Sequence, residues 1–365
     1  MEFNSVAFLF LFLPVFLAVF WFLRPDARNG YYLLAGLVFY AWGEGERVFL
    51  LLAFIAVNYA IGTAVAGIGG RFSRKAVFLA GIVFDAAFLF YFKYAAFFLR
   101  TLGLAGGLSL PDPARLPLAV SFFTLSALSF LIDVYRRTVP FDPHPVRFGL
   151  FLSFFPKMTT GPITPYRTLA PALAESRRMD SADFAAGARR FVLGLAKKQL
   201  IADPMAATAN SIFAVPASGL TAGLAWLGLI AYTLQIYFDF SSYTDMALGL
   251  GRMLGLRLPE NFNYPYSSKS IQEFWKRWHM SLSQWLQYYL FLPIAYAVSR
   301  RIKGDRFLRV RADYWAYGCG AMVTFLLCGL WHGASWTFIA WGAYHGLFLV
   351  VEQAGLGKLL KKHLP

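Results

Sequence analysis

VAFLFLFLPVFLAVFWFL, residues 6–23, contains no charged side chain. A helix rises about 1.5 Å per residue, so roughly 20 apolar residues cross the hydrocarbon core of a bilayer, about 30 Å thick. Glu2 precedes the run without any Lys or Arg, and Arg24 and Arg28 follow it. A cleaved leader carries its basic residues first, so this run is expected to be a retained anchor whose N terminus lies outside.

Other apolar runs follow at 30–43, 48–69, 76–98 and 116–134, and again at 220–238, 314–331 and 335–351. The charges between them alternate. Arg24 and Arg28 are expected in the cytoplasm, the weakly charged turn from Glu44 to Arg47 outside, and Arg71, Arg74 and Lys75 inside again. The 101–115 loop is expected outside, and Arg136 and Arg137 bring the chain back to the cytoplasm, following the Lys/Arg bias of short cytoplasmic loops.

Composition supports the same class. Of 365 residues, 34 are Lys or Arg and 19 Asp or Glu, a formal charge of +15, yet only 15% are charged and 58% are hydrophobic. Soluble domains carry about 25% charged residues. With 38 Phe, 10 Trp and a mean hydropathy of +0.53, the chain excludes disorder, a secreted disulfide scaffold and an ordinary cytosolic enzyme. The basic residues occur in short clusters between apolar runs, with no separate basic domain, so nucleic acid is not an expected partner and the lipid bilayer is. Cys319 and Cys328 lie nine apart, about 13.5 Å along a helix, too far to bridge. There is no CxxC pair and no closely spaced Cys/His set, so no metal site is expected.

The middle of the chain departs from simple spans. Residues 146–166 are apolar but broken by Pro156, Gly161, Pro162 and Pro165. Such backbone survives at membrane depth only where protein or a wet cavity covers it, which predicts a re-entrant segment. Over 183–200, Phe184, Ala188, Phe191, Leu195 and Leu200 recur at helical spacing, with Arg189, Arg190, Lys197 and Lys198 on other faces. That pattern predicts an amphipathic helix on the cytoplasmic surface.

Polar groups inside apolar segments are costly and tend to mark sites or pathways. Three stretches carry them. In the first, from Tyr232, the residues Gln235, Asp239 and Ser242 share a helical face and Ser241 and Asp245 another; they form either a polar tunnel wall or hydrogen bonds between helices. The second, Ser270 to Pro293, has the aromatic content of an interfacial helix, and Lys276 and Arg277 suit anionic head groups or a phosphorylated ligand. There His279, taken alone, reads as an interfacial histidine. In the third, Cys328 to Phe348, His332 lies between two apolar runs, with Gly329, Gly333 and Ala334 leaving room for another backbone or a ligand. A neutral imidazole suits general-base work near pH 7. His345, flanked by Gly342 and Gly346, reads as helix packing. GxSxG, HExxH and Walker A sequences are missing, which disfavours serine hydrolases and nucleotide enzymes.

QEFWKRWHMSLSQWL (272–286) followed by GLWHGASWTFIAWGAYHG (329–346) resembles the paired signature of the membrane-bound O-acyltransferases (MBOAT). SFFPKMTTGPITPY (153–166), QIYFDFSSYTDMALGLGRMLGL (235–256) and ENFNYPYSSKSIQEFW (260–275) resemble the bacterial branch of that family containing the alginate O-acetyltransferase membrane subunit, the AlgI-like branch. The resemblance runs to about residue 352. It implies an all-α, multi-pass integral membrane protein in the bacterial cytoplasmic (inner) membrane, with re-entrant and interfacial helices around a central tunnel.

The resemblance makes His332 the expected catalytic base and His279 its partner across the tunnel, orienting the acyl group or donating to the oxyanion. Trp331, Trp278, Lys276, Arg277, Asp239 and Ser242 are the expected substrate contacts. The implied donor is cytoplasmic acetyl-CoA, with no bound cofactor. The implied acceptor is an exported polysaccharide, reached with a periplasmic acetyltransferase partner. Two departures stand out. Gln287 and Tyr288 replace the branch's Arg-Asp pair, and Pro293 is followed by Ile-Ala-Tyr. Members usually continue with more helices, so residues 1–365 are expected to form one domain without the usual C-terminal helices, as either a short member or a truncated one. The competing readings are a transporter using Asp85, Asp239 and Asp245, and a non-catalytic scaffold of a polysaccharide-modifying complex.

Overall fold

The computed structural model describes residues 1–104, 106, 115–175, 180–356 and 362. Most of these residues are helical. A π turn at Phe8–Phe12 leads into α1 (Leu13–Phe22), then α2 (Arg28–Glu44), α3 (Arg47–Gly67) and α4 (Arg71–Leu89), which a second π turn, Phe90–Tyr94, joins to α5 (Ala95–Thr101). Next come α6 (Val120–Arg136), α7 (Pro145–Ser153), α8 (Phe155–Met158), α9 (Tyr166–Ala174), α10 (Ser181–Lys197), α11 (Asp203–Phe213) and α12 (Ala222–Met253). The chain continues through α13 (Ile271–Arg277), α14 (Met280–Leu286), α15 (Leu292–Arg301), α16 (Ala312–His332) and α17 (Trp336–Val351). A two-residue hairpin, β1 (Arg306–Phe307) and β2 (Val310–Arg311), pairs antiparallel between α15 and α16.

Among the described residues three helices are long and apolar enough to cross a membrane: Arg47–Gly67, Phe72–Thr101 and Ala312–His332. The run at 6–23 becomes a shorter apolar helix, Phe8–Phe22. The run at 116–134 becomes α6, most of whose side chains are buried in protein. Its hydroxyls turn back onto their own helix: Thr124 Oγ1 donates to the Val120 carbonyl at 2.7 Å and Ser129 Oγ to the Ser126 carbonyl at 2.7 Å. The 101–115 loop lies largely outside the described residues.

Contacts divide the chain, read above as one domain, into two compact units, each made of two stretches: Met1–Ala60 with Pro140–Glu260, and Ile61–Val139 with Asn261–Pro365. In the first unit the Pro/Gly-broken stretch forms the short helices α7 and α8, then extended chain up to α9, and almost every residue in it is buried. Gly36 of α2 lets the Ser153 carbonyl approach where a Cβ would overlap it.

α10 starts at an Asp180 cap, whose carboxylate accepts from the Ala182 N–H at 3.1 Å. It then packs along α12. The packing face differs from the apolar stripe in the sequence: Gly187, Phe191 and Gly194 are buried against α12, whereas Leu200 is 75% exposed. Small residues allow two backbones to touch, and that contact, more than hydrophobic bulk, joins helices in lipid. The basic residues of α10 also face a partner. Arg190 Nη2 meets Asp245 at 2.9 Å and its Nη1 meets Glu260 at 2.6 Å, while Lys197 Nζ meets the other Asp245 oxygen at 2.6 Å. Asp245→Ala removes the carboxylate that Lys197 and Arg190 share and leaves Arg190 with Glu260 alone. It is expected to destabilise the protein by about 1–3 kcal/mol, measured as a lowered thermal midpoint that high salt partly masks.

In the second unit α6 is tied to α14 and the turn after it. Trp285 Nε1 donates to the Leu125 carbonyl at 3.2 Å and the Tyr289 hydroxyl to Asp133 Oδ2 at 2.9 Å. Arg74 closes two helix ends, donating to the Val65 carbonyl at 2.9 Å and to the Val134 and Tyr135 carbonyls at 3.0 and 2.7 Å. These carbonyls lie in the last turns of α3 and α6, where a cation is favoured. α16 and α17 cross at Gly329 and Gly342, each set against the other helix's backbone.

Candidate active site

α13 begins with a reciprocal cap: the Glu273 N–H donates to Ser270 Oγ at 3.1 Å and the Lys269 N–H to Glu273 Oε2 at 2.9 Å. It lasts seven residues. The chain then opens at Trp278 (φ −100°, ψ 130°) and turns left-handed at His279 (φ 44°, ψ 52°) before α14 begins. Segment 261–263 satisfies the broken backbone, since the Asn263 N–H donates to the Arg277 carbonyl at 3.0 Å and the Met280 N–H to the Asn261 carbonyl at 2.9 Å. The break turns the His279 side chain inward, leaving it 3% exposed.

His279 Nδ1 lies 2.9 Å from Asn261 Oδ1. Burial, with His332 nearby adding to it, pushes the imidazole pKa down to about 3, so the ring is neutral at physiological pH. An unfolded chain would titrate this ring near the ordinary value of about 6.5. The folded state therefore binds fewer protons between the two values, and stability falls as the pH drops from the higher toward the lower. His279→Gln is expected to reduce this acid sensitivity, seen as a smaller drop in thermal midpoint between about pH 7 and about pH 5.

A cavity of about 290 Å³ opens beside this ring. His279 and His332 both line it, so the structure brings together the two histidines that the motifs single out. Lys276 and Trp278 also lie on its wall. Thr324, Cys328 and His332 recur every four residues along α16 and line one side of the cavity, and Gln272, Ser283 and Gln287 add polar atoms to a lining that is mostly apolar. His332 is accessible where His279 is buried, and its ring is flanked by Trp331 and Trp341 at 5.1 and 5.2 Å between centroids. The Trp331 indole lies 6.2 Å from the His279 ring, next to both imidazoles.

The remaining residues expected at the site have different surroundings. Arg277 is held by Glu273 at 2.7 Å and by Ser267 Oγ at 3.3 Å, and braces the turn. Asp239 and Ser242 lie in the first unit. Lys198 binds the Asp239 carboxylate at 2.5 Å, and the buried Ser242 hydroxyl donates to the Asp239 carbonyl at 2.7 Å.

Three residues of the site were not singled out from the sequence. Asn261 holds the turn at His279 from 18 positions upstream. Cys328 lies on the cavity wall. Lys93, in the π turn between α4 and α5, gives its ammonium to Ser121 Oγ at 2.9 Å and to the Trp331 carbonyl, in the last turn of α16 beside His332. A lone lysine in the apolar run 76–98 is itself the signal that would have found it. Among the described residues no three His, Cys, Asp or Glu side chains converge to hold a metal ion, and both cysteines are free thiols.

Residues 73–356 match the membrane-bound O-acyltransferase family. The probable alginate O-acetylase AlgI of Pseudomonas aeruginosa is 41% identical over 362 residues, covering 97% of this chain and 66% of the relative. Its counterpart in Azotobacter vinelandii is 42% identical over 361 residues, covering 97% and 69%. The peptidoglycan O-acetyltransferase of Helicobacter pylori is 33% identical over 384 residues, covering 96% and 70%. The chain thus spans about two thirds of the length of these curated relatives. On the family match across most of its length, with the two motif histidines on one cavity, the chain belongs to the membrane-bound O-acyltransferase family.

Proposed function

We propose that this protein is a multi-pass O-acetyltransferase of the bacterial inner membrane, which carries acetyl from cytoplasmic acetyl-CoA toward the hydroxyls of an exported polysaccharide, alginate-like or another cell-surface glycan, with a periplasmic partner. The observation that carries this reading is the placement of His279 and His332 on one largely apolar cavity. Relatives named for O-acetylation of two different glycans support the reaction more than either acceptor.

In the proposed reaction the accessible His332 imidazole takes the proton of an acceptor hydroxyl as its oxygen attacks the thioester carbonyl. The C–S bond then breaks, and the imidazolium returns its proton to the departing CoA thiolate. Such proton transfer contributes about 10²–10⁴ in rate. The apolar wall excludes water, which would otherwise hydrolyse the thioester. Trp331 and Trp278 flank the reacting groups, and Lys276 on the cavity wall presents positive charge to the CoA phosphates.

Purified full-length protein in proteoliposomes, given labelled acetyl-CoA on the cytoplasmic face and a hydroxyl acceptor or candidate partner inside, is expected to transfer label to the acceptor. Absence of transfer from folded protein, with longer acyl-CoA and acyl-carrier donors also tried, would overturn the reading.

A further inference from the structure

We infer that Asn261 is a positioning residue that locks His279 in its Nδ1-protonated tautomer, so that its Nε2 accepts rather than donates in the cavity; this rests on the acyltransferase reading above. Asn261 Oδ1 receives three groups: His279 Nδ1 at 2.9 Å, the Ser281 N–H at 3.2 Å and the Ser281 hydroxyl at 2.9 Å. A backbone N–H is an obligatory donor, so the amide atom facing Ser281 must be the oxygen. The imidazole nitrogen meeting that oxygen must then carry the hydrogen, because a neutral ring has one donor and one acceptor nitrogen. Nε2 is left with its lone pair.

The arrangement is rigid. Asn261 is itself fully buried, and its backbone carbonyl takes the Met280 N–H that the left-handed turn at His279 removes from helical pairing. One residue thereby fixes both the backbone turn and the ring's tautomer. The chemical consequence is specific: neutral His279 orients a hydroxyl in the cavity by accepting from it at Nε2, and it has no hydrogen there to give an oxyanion. The charged and titratable groups around it fit this role. His332 shares the cavity, and the Lys93 ammonium is held at the Trp331 carbonyl next to that ring.

Two variants and one spectrum test the assignment. Asn261→Ala is expected to lower kcat about 100-fold, a share of the usual general acid–base contribution. Asn261→Asp keeps the acceptor and adds a fixed negative charge against Nδ1–H, which favours the imidazolium. It is expected to recover much of kcat while moving the acid limb of the pH–rate profile upward by about one unit or more. ¹⁵N-histidine spectra of the intact protein, with the His279 signals assigned by difference from His279→Gln, are expected to show a protonated Nδ1 and an unprotonated Nε2. A protonated Nε2 would overturn the proposal, as would Asp and Ala variants that fold and share the unaltered pH profile. The spectrum requires no turnover, so an inactive wild-type protein with the expected tautomer would sink the acyltransferase reading and leave the assignment of Asn261 intact.

Discussion

His332→Ala is expected to lower acetyl transfer by about 10²–10⁴-fold, with the thermal midpoint nearly unchanged. The side chain is accessible at the cavity and makes no hydrogen bond that the fold depends on, so its removal leaves the surrounding helices in place. Its neighbours Trp331 and Trp341 are held by other rings as well: Phe122 packs on Trp331 at 5.6 Å and Trp275 on Trp341 at 5.6 Å. If His332 supplies the base, the loss falls on kcat, because the proton transfer belongs to the transition state and not to binding. A variant that keeps most of the wild-type rate would remove His332 from the chemistry. A variant that unfolds would be uninformative about the base, so the midpoint is measured on the same sample.

Gly249→Leu is expected to be strongly destabilising, costing on the order of 3 kcal/mol or more. A Cβ at Gly249 of α12 would lie 2.6 Å from both the Gly187 carbonyl oxygen and the Phe191 nitrogen, and one at Gly187 would lie 2.6 Å from the Gly249 oxygen. Both clashes are with backbone, which cannot rotate aside as a side chain does. The two helices must separate, taking with them the Arg190–Asp245 and Lys197–Asp245 pairs along the same seam. Gly223→Ala provides the control, because a Cβ there meets nothing within 4 Å. Thermal unfolding and the monodisperse fraction after extraction distinguish the two. Equal behaviour would mean that the α10–α12 contact carries little of the stability.

The class of fold was legible because lipid imposes a strong compositional rule. The uncharged run at 6–23 and its neighbours cannot be solvated by water, and the Pro/Gly-broken stretch after Val146 cannot be a straight span. The number of full-length spanning helices was less legible. α6 is as apolar as a span, yet it is mostly buried in protein, and periodicity does not distinguish lipid from protein as the cover. The packing of α10 on α12 was not legible for a related reason: of its apolar stripe only Phe191 is buried there, and Gly187 and Gly194, which a pattern of bulk passes over, make the rest of the contact.

For the site, His279 and His332 were visible as motif residues, and the structure adds that they share a cavity. Asn261 and Lys93 were not assigned because their roles depend on contacts 18 and 238 residues away. An asparagine in a Pro/Asn/Tyr-rich loop normally reads as a turn former. Only the folded chain shows its amide holding an imidazole.

The left-handed backbone at His279 gives a separate indication of what that position is for. A φ of 44° is a conformation that glycine adopts without strain and that bulkier residues adopt at a cost. Among non-glycine residues, histidine is one of those found more often in this left-handed region. The chain places an imidazole there and surrounds it with the hydrogen bonds needed to hold it. The turn is therefore what carries the ring out of the helical line and into the buried space beside Asn261, and a regular helix through position 279 would not place it there.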